Sequence, residues 1–238
     1  MSKLLVTGAG SLAREIISQS KGVGLSNDED QIVQCIRDFP DSCFVVCDIR
    51  DKDSLANVVR VHQVTHLIHT AALKHVSICE ENINEAILTN IQGSRNIIEV
   101  AQENNIRKVL AVSSDKSVAP LNVYGATKLI MEKMFLKAGF SVVRFGNFWG
   151  SRGSVIPLWE EEKKTGTITI TDPEATRFFI QLEDAARMCI NCVENMGELT
   201  VPTMLEFTLG QLAEMVAPDA NWNIIGLQDG EKKHEVLK

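Results

Sequence analysis

The chain has 238 residues, 45% of them hydrophobic, with 24 Lys and Arg against 31 Asp and Glu and a formal charge of -7. That much apolar material can bury a sizeable core, which excludes intrinsic disorder, and an acidic balance lacks the basic excess that nucleic-acid phosphates select. The opening MSKLLVTGAGSLARE holds apolar runs too short for a signal segment or a membrane span, so a cytoplasmic protein with no membrane and no nucleic-acid partner is expected.

In chain order, a β-rich run at 3–7 leads straight into Gly8-Ala9-Gly10-Ser11-Leu12-Ala13, a GxGxxA turn that opens a helical pattern over 11–20. Such glycines let a backbone approach a pyrophosphate, and the helix start adds unpaired N–H groups; glycine also joins strands to helices for steric reasons alone. Further strand-like runs lie at 23–26, 43–47, 66–70, 108–113 and 141–145, with helical spacing over 28–38, 53–63, 84–104 and 123–138 between them. This alternation implies right-handed crossovers and an α/β Rossmann-type doubly wound parallel sheet. After Gly146, prolines at 157, 173, 202 and 218 punctuate shorter elements. The pattern predicts one domain over 1–238, with a dinucleotide-binding core at 1–145 and mainly a small C-terminal substrate-binding lobe at 146–238.

Six cysteines, at 35, 43, 47, 79, 189 and 192, show no framework spacing and are expected to be reduced and buried. Cys189 and Cys192 form a CxxC on a predicted helix over 182–193, without a second pair to complete a zinc site. His66 and His69 fall on opposite faces of one strand, so no metal is expected.

The strand at 108–113 runs into Ser113-Ser114-Asp115-Lys116, and Tyr124-Gly125-Ala126-Thr127-Lys128 opens the next helix. YxxxK puts Tyr124 and Lys128 on one helical face, where the ammonium is expected to bring the phenol below its ordinary value of about 10 and make it a base. The hydroxyl of Ser113 or Ser114 can hold a substrate hydroxyl or the tyrosine. On an ordinary helix the same pattern only packs a tyrosine and solvates a lysine; its place after the fifth strand favours the chemical reading.

Eight segments carry a family resemblance: residues 69–76 (HTAALKHV), 89–93 (TNIQG), 113–128 (SSDKSVAPLNVYGATK), 144–147 (RFGN), 150–157 (GSRGSVIP), 169–173 (TITDP), 176–178 (TRF) and 230–235 (GEKKHE). With these the chain resembles an extended short-chain dehydrogenase/reductase, and within that group the soluble inverting UDP-N-acetylglucosamine 4,6-dehydratases of the CapD-like polysaccharide-biosynthesis family. The resemblance implies a hydro-lyase that makes a 4-keto-6-deoxy sugar nucleotide for surface glycans with tightly bound, recycled NADP or NAD. A ketone at carbon 4 acidifies the neighbouring C–H, and a hydride borrowed from carbon 4 and returned to carbon 6 removes the need for a second substrate. By resemblance, Tyr124 takes the 4-hydroxyl proton with Lys128 beside it, Lys116 removes the carbon 5 proton and Asp115 protonates the departing 6-hydroxyl. Retaining relatives generally place Asp-Glu where this chain has Asp115-Lys116.

The resemblance further implies cofactor contacts from Gly8, Gly10, Ser11, Leu12, Ala13, Asp48, Ile49, Ala71, Ala72, Lys74, Ser113, Tyr124, Lys128, Phe148 and Arg152. Substrate contacts would come from Lys74, Ser114, Asn147, Thr171, Arg177 and Glu231. Blander roles compete for some positions: Arg177 as a salt-bridge partner, Asn90 as a shaper of backbone, Glu231 and His234 as caps of a C-terminal helix. The chain is shorter than usual members, its glycine turn is one residue short and ends in Ala13, and Gln228-Asp229 stands where the family has Arg-Pro. Asn27 replaces an arginine that would hold a 2'-phosphate, so little preference between NAD and NADP is expected. A trimmed enzyme that keeps its catalytic set is the expectation, as a homo-oligomer through helices 84–104 and 123–138. The competing expectations are a nucleotide-sugar epimerase or reductase, which needs Tyr124 and Lys128 only, and a non-catalytic dinucleotide-binding protein.

Overall fold

The computed structural model describes residues 3–238; Met1 and Ser2, where the N-terminal reading begins, lie outside the described residues. The elements of the first part are β1 (Leu4–Thr7), α1 (Ser11–Ser20), β2 (Val23–Ser26), α2 (Glu29–Asp38), β3 (Cys43–Val46), α3 (Lys52–Val61), β4 (His66–His69), α4 (Val76–Glu81), α5 (Ile83–Ala86), α6 (Gly93–Glu103), β5 (Lys108–Ser114), α7 (Val123–Lys137) and β6 (Ser141–Phe145). The remainder comprises β7 (Asn147–Phe148), α8 (Val155–Glu162), β8 (Thr167–Ile170), β9 (Thr176–Ile180), α9 (Leu182–Cys192), β10 (Leu199–Thr200), β11 (Leu205–Thr208), α10 (Leu209–Val216) and β12 (Asn221–Ile224). Every strand expected in the first 145 residues is present, within a residue or so of its expected bounds.

Seven strands form the central sheet in the order β10-β6-β5-β4-β1-β2-β3, each neighbour pair parallel. Strand order reverses between β1 and β4, which leaves a crevice at their carboxyl ends. Successive residues alternate between faces: Leu5, Leu67 and Val109 join one core cluster with Ile97 and Phe135, while Val6, Ile68 and Leu110 join the other with Ile16 and Phe145. Both faces are buried, as a helix-covered parallel sheet requires.

Residues after 146 divide between two places. α9 packs on α1 and β10 extends the central sheet beyond β6, so both belong to the core. The lobe is built from a three-stranded sheet, β11-β9-β7, and a two-stranded one, β12-β8. A third apolar cluster holds it together around fully buried Trp159, whose Nε1 donates to the Thr169 carbonyl at 2.7 Å.

Two expectations need correction. The helix read as continuous over 84–104 is broken by a π turn, Ile87–Gln92, between α5 and α6. A π turn inserts one residue and re-aims those around it. Here Asn90 is buried, accepting from Leu73 N (2.8 Å) and donating to the Leu73 carbonyl and Thr127 Oγ1 (3.0 Å each). Asn90 therefore fixes the loop after β4. Five of the six cysteines are buried, but Cys43, on the outermost strand β3, is exposed. No described helix is long and apolar enough to cross a membrane.

Candidate active site

The carboxyl end of β1 shapes one wall of the crevice. Gly8 has φ +93°, and a Cβ there would sit 3.1 Å from Thr70 Oγ1 and 3.3 Å from Ala71 Cα, so both the turn and the approach of the next strand demand glycine. Gly10 differs: its φ is -71°, open to any residue, and a Cβ there would meet no protein atom within 4 Å. Nothing in the protein requires glycine at this position. A diphosphate lying against the amino end of α1 would, and in this respect the turn fits a dinucleotide.

A cleft of about 880 Å³ runs past this turn. Ser26, Asn27, Asp48 and Ile49 line one end and Ser113, Ser114, Tyr124 and Lys128 the other, and every residue expected to meet the cofactor is on its wall. Midway, Lys74 Nζ donates to the Arg152 carbonyl (2.8 Å), and Arg152 donates from Nη2 to the Ala9 carbonyl (2.9 Å) and from its backbone N to Ser11 Oγ (3.1 Å). Two cations thus flank the glycine turn. At the far end Asn27 Nδ2 donates to Asp48 Oδ2 (3.3 Å), and Asp28 caps α2 by accepting from Gln31 N (3.0 Å).

At the other end, Asn122 Oδ1 accepts from Gly125 N (2.7 Å) and starts α7. A Cβ on Gly125 would lie 2.2 Å from the Lys116 carbonyl oxygen, so only glycine lets α7 close on the 3-10 turn Asp115–Ser117. That contact brings Tyr124, half-buried on the cleft wall, beside the Asp115-Lys116 pair. Burial pushes the Tyr124 phenol up to about 12, and Lys116 and Ser114 pull it back only in part. This corrects the expectation that Lys128 lowers it. Lys128 is buried with its Nζ donating to the Val112 carbonyl (2.6 Å) and brought down to about 8 by burial, against an upward pull from Glu132. Glu132, one turn further along α7, is clamped by Arg144 (Nε to Oε1 2.9 Å, Nη2 to Oε2 2.7 Å) and accepts from Ser117 Oγ (2.7 Å).

Lys116 Nζ lies 3.2 Å from Asp115 Oδ1 and 3.3 Å from Glu235 Oε1. Asp115 is fully buried, and its Oδ1 also accepts from Ser114 Oγ (2.9 Å). Burial works to lower the Lys116 pKa, but Asp115, Glu235 and Tyr124 together outweigh it and hold the ammonium above the ordinary lysine range. The opposition that sequence leaves open, burial against Asp115, is decided by a second carboxylate.

Among the expected substrate residues, Lys74 and Ser114 line the cleft, whereas Asn147, Thr171, Arg177 and Glu231 stand outside its lining. Asn147 Nδ2 donates to the Phe178 carbonyl (3.4 Å). Thr171 Oγ1 donates to Glu231 Oε1 (3.2 Å), and Arg177 pairs with that same oxygen while donating to the carbonyls of Thr176 (2.8 Å) and Lys233 (3.1 Å). Thr171, Arg177 and Glu231 therefore form one cluster that ties residues 231–233 to β9. Gln228 turns back on its own loop, donating to the Gly226 carbonyl (3.0 Å). Glu231 and His234 cap no helix, since residues 225–238 contain none.

Sequence reasoning missed Glu132, Gly125 and Glu235 as members of the site. Glu132 was within reach, because 124, 128 and 132 share one helical face. Gly125 and Glu235 stand inside segments already singled out, but which neighbour each meets depends on chain path.

Residues 4–238 match the family described as polysaccharide biosynthesis protein. The chain belongs to that family. The inverting UDP-N-acetylglucosamine 4,6-dehydratase of Campylobacter jejuni is 37% identical over 256 residues, covering 98% of this chain and 76% of that protein. A UDP-glucose 4-epimerase of Rickettsia rickettsii is 33% identical over 263 residues, with 98% and 76% covered. Among solved structures, Pen from Bacillus thuringiensis is similar with a TM-score of 0.93 and 32% identity, covering 99% of this chain and 80% of that one. The polysaccharide biosynthesis protein match therefore includes the cleft and the lobe alike.

Proposed function

We propose that the protein is a nucleotide-sugar 4,6-dehydratase, a hydro-lyase that removes water from a UDP-linked N-acetylhexosamine and inverts carbon 5. The observation that carries this reading is the Asp115-Lys116 pair, 3.2 Å apart, which stands outside the cleft lining but is packed directly behind Tyr124, itself on the cleft wall. An epimerase or reductase needs one proton site at the 4-hydroxyl, which Tyr124 alone supplies. Loss of water needs two more groups, one to take the carbon 5 proton and one to protonate the departing hydroxyl. The name of the Campylobacter relative supports the same choice.

Asp115 and Lys116 can supply both with the single proton they share. At rest the pair is carboxylate and ammonium. Passing that proton across to Asp115 leaves a neutral amine and a carboxylic acid, the two forms the elimination uses. Lys116 then accepts the carbon 5 proton, Asp115 gives its own to the leaving 6-hydroxyl, water departs and the resting charges return. Tyr124 holds the 4-hydroxyl proton meanwhile. A nicotinamide dinucleotide bound in the cleft would accept the carbon 4 hydride and return it to carbon 6; carbon 5 would then take a solvent-exchangeable proton on the face opposite the one removed, and the proton held by Tyr124 would leave to solvent, which balances the charges and inverts carbon 5. Gly8, Gly10, Ser11 and the cations of Lys74 and Arg152 would hold its diphosphate, with Asp48 and Ile49 at its adenosine end.

Little discrimination between NAD and NADP belongs to this reading. Asn27 is turned to Asp48 and Asp28 is engaged in capping α2, so no arginine or lysine of this loop is offered to a 2'-phosphate. Exposed carboxylates nearby oppose that phosphate by about 1 kcal/mol or less. Calorimetric titration with both forms is expected to give affinities within about tenfold. A cytoplasmic homo-oligomer also belongs to it, supported by exposed Ile83, Ile87, Leu88 and Ile130 around α5, the π turn and α7, with solution mass by light scattering as its check.

The decisive experiment is incubation with UDP-N-acetylglucosamine in heavy water. A product lighter by one water and carrying solvent deuterium at carbon 5 is expected. An isomer of unchanged mass would make the protein an epimerase, and an untouched substrate a binding module.

A further inference from the structure

Residues 228–238 run without helix past the start of α7, β6 and β9 as a strap fastened at intervals. Asn122 Nδ2 donates to the Gly230 carbonyl (2.8 Å), Lys232 Nζ to the Val118 carbonyl (2.5 Å), Thr176 N to the Lys233 carbonyl (2.9 Å) and Arg144 Nη1 to the Leu237 carbonyl (2.6 Å). These fastenings come from the start of α7, the loop before it, β9 and β6. Between them stands Glu235, 5% exposed, with Oε1 3.3 Å from Lys116 Nζ and Oε2 3.6 Å from Lys232 Nζ. Burying a carboxylate costs several kcal/mol unless its surroundings return it, and Oε2 has no hydrogen bond at all. A strap that needed only to be fastened would gain from an apolar side chain here.

We propose that Glu235 is a positioning residue for Lys116, a second carboxylate that the strap delivers so that the amine is held between two anions beside Tyr124. This rests on the dehydratase reading for its consequence, though not for its geometry. Lys116 Nζ donates to Asp115 Oδ1 (3.2 Å) and is ion-paired with Glu235 Oε1 at 3.3 Å, so its charge is drawn between two carboxylates. Asp115 alone would leave it free to swing. When the amine takes a proton, the new charge forms between two carboxylates, and Glu235 keeps its own charge while Asp115 gives up and regains its proton. The charged and titratable groups around Lys116 are Asp115 on its own turn, Tyr124 on α7, and Glu235 with Lys232 on the strap; the upward shift of Lys116 has these carboxylates as its cause.

The test replaces Glu235 by Gln, which keeps size and one acceptor but removes the charge, and by Asp, which restores the charge. In the cofactor-loaded protein, the pH dependence of Lys116 acylation by acetic anhydride, read by peptide mass, reports the amine without turnover. Removing a carboxylate at this range is expected to move the Lys116 midpoint down by about one pH unit in Glu235→Gln, with Glu235→Asp close to the parent. The falling limb of the kcat profile, where the pair loses its one proton, should move the same way, with KM changed less than about threefold and plateau kcat lowered about tenfold. If Glu235→Gln folds poorly, Lys232→Met offers the opposite sign: loss of a neighbouring cation should raise the Lys116 midpoint. Unmoved acylation midpoints in the variants that fold overturn the proposal. Shifted midpoints in a parent protein that releases no water from UDP-N-acetylglucosamine uphold Glu235 as the partner of Lys116 and overturn the dehydratase reading instead.

Discussion

Tyr124 is the sole tyrosine of the chain, so its ionisation can be followed directly in the ultraviolet. With its phenol pushed up to about 12 by burial, about a tenth is expected to be ionised at pH 11, where an unfolded chain is about nine-tenths ionised. A midpoint near 10 in the folded, cofactor-free protein would contradict this. With the pull of Lys116 already counted, the phenol becomes a base near neutrality only when further positive charge is brought to it, as from a bound nicotinamide. Tyr124→Phe removes only the ionisable oxygen and should abolish turnover, by about a hundredfold or more, while cofactor affinity stays within about threefold. Lys128→Ala should weaken both, because Lys128 lines the cleft and its Nζ also holds the end of β5 through the Val112 carbonyl. Near-normal turnover in Tyr124→Phe would remove the tyrosine from the chemistry.

Elements differ in how much of them is legible. The alternation of Leu5 with Val6 and of Leu67 with Ile68 is written in the sequence because each strand answers to two buried faces, and a parallel sheet follows from strands that alternate with helices, whereas the order of the strands does not. GxGxxA and YxxxK are legible for a similar reason, since all their parts lie on one turn or one helical face. The π turn is not, because apolar spacing over 84–104 fits a regular helix and only the bond from Asn90 to Leu73 selects the extra residue. Nor is the Arg177–Glu231 pair or the Lys116–Glu235 pair, whose partners lie far apart in sequence and meet through the path of the strap. Gly125 offers the sharpest test at this scale. Gly125→Ala places a methyl 2.2 Å from a backbone carbonyl, which cannot swing away, so α7 and the Asp115–Ser117 turn must part. A stability loss of about 1–3 kcal/mol is expected. Cofactor affinity should survive, since the glycine turn of β1 is untouched, whereas dehydration should fall far more than hydride exchange at carbon 4. Equal loss of both activities would separate Gly125 from the Asp115-Lys116 pair.

Across the whole molecule, β1, β4, α6 and α7 converge on one buried histidine. His69 lies on β4, 1% exposed, with Nδ1 2.8 Å from Thr7 Oγ1, Nε2 3.0 Å from Ser94 Oγ and its ring stacked on Phe135 at 5.7 Å. Thr7 Oγ1 already accepts from the backbone N of Thr70 and Ala71, and Ser94 Oγ donates to the Asn90 carbonyl. Thr7 must therefore donate to Nδ1, and the proton of the neutral ring sits on Nε2. No acceptor remains for a second ring proton, and burial, with Lys128 adding to it, brings His69 down to about 3. The unfolded chain takes up a proton near 6.5 while the folded one does not, so the stability this site contributes is complete above 6.5 and is lost as pH falls toward 3. The slope approaches about 1.4 kcal/mol per pH unit, which between pH 7 and 5 amounts to about 2 kcal/mol. Glu132 also loses stabilisation in acid, but its folded pKa is depressed below 4.5, so that loss falls mainly under the window. Denaturant unfolding of the parent and of His69→Gln, measured at pH 7 and pH 5, isolates the histidine. The variant should be the less stable at pH 7, having lost the stack on Phe135, and the gap should narrow by about 2 kcal/mol at pH 5 because glutamine takes up no proton in either state. A gap of the same size at both pH values would show that His69 is protonated in the folded protein and that the network through Thr7 and Ser94 is not the one described.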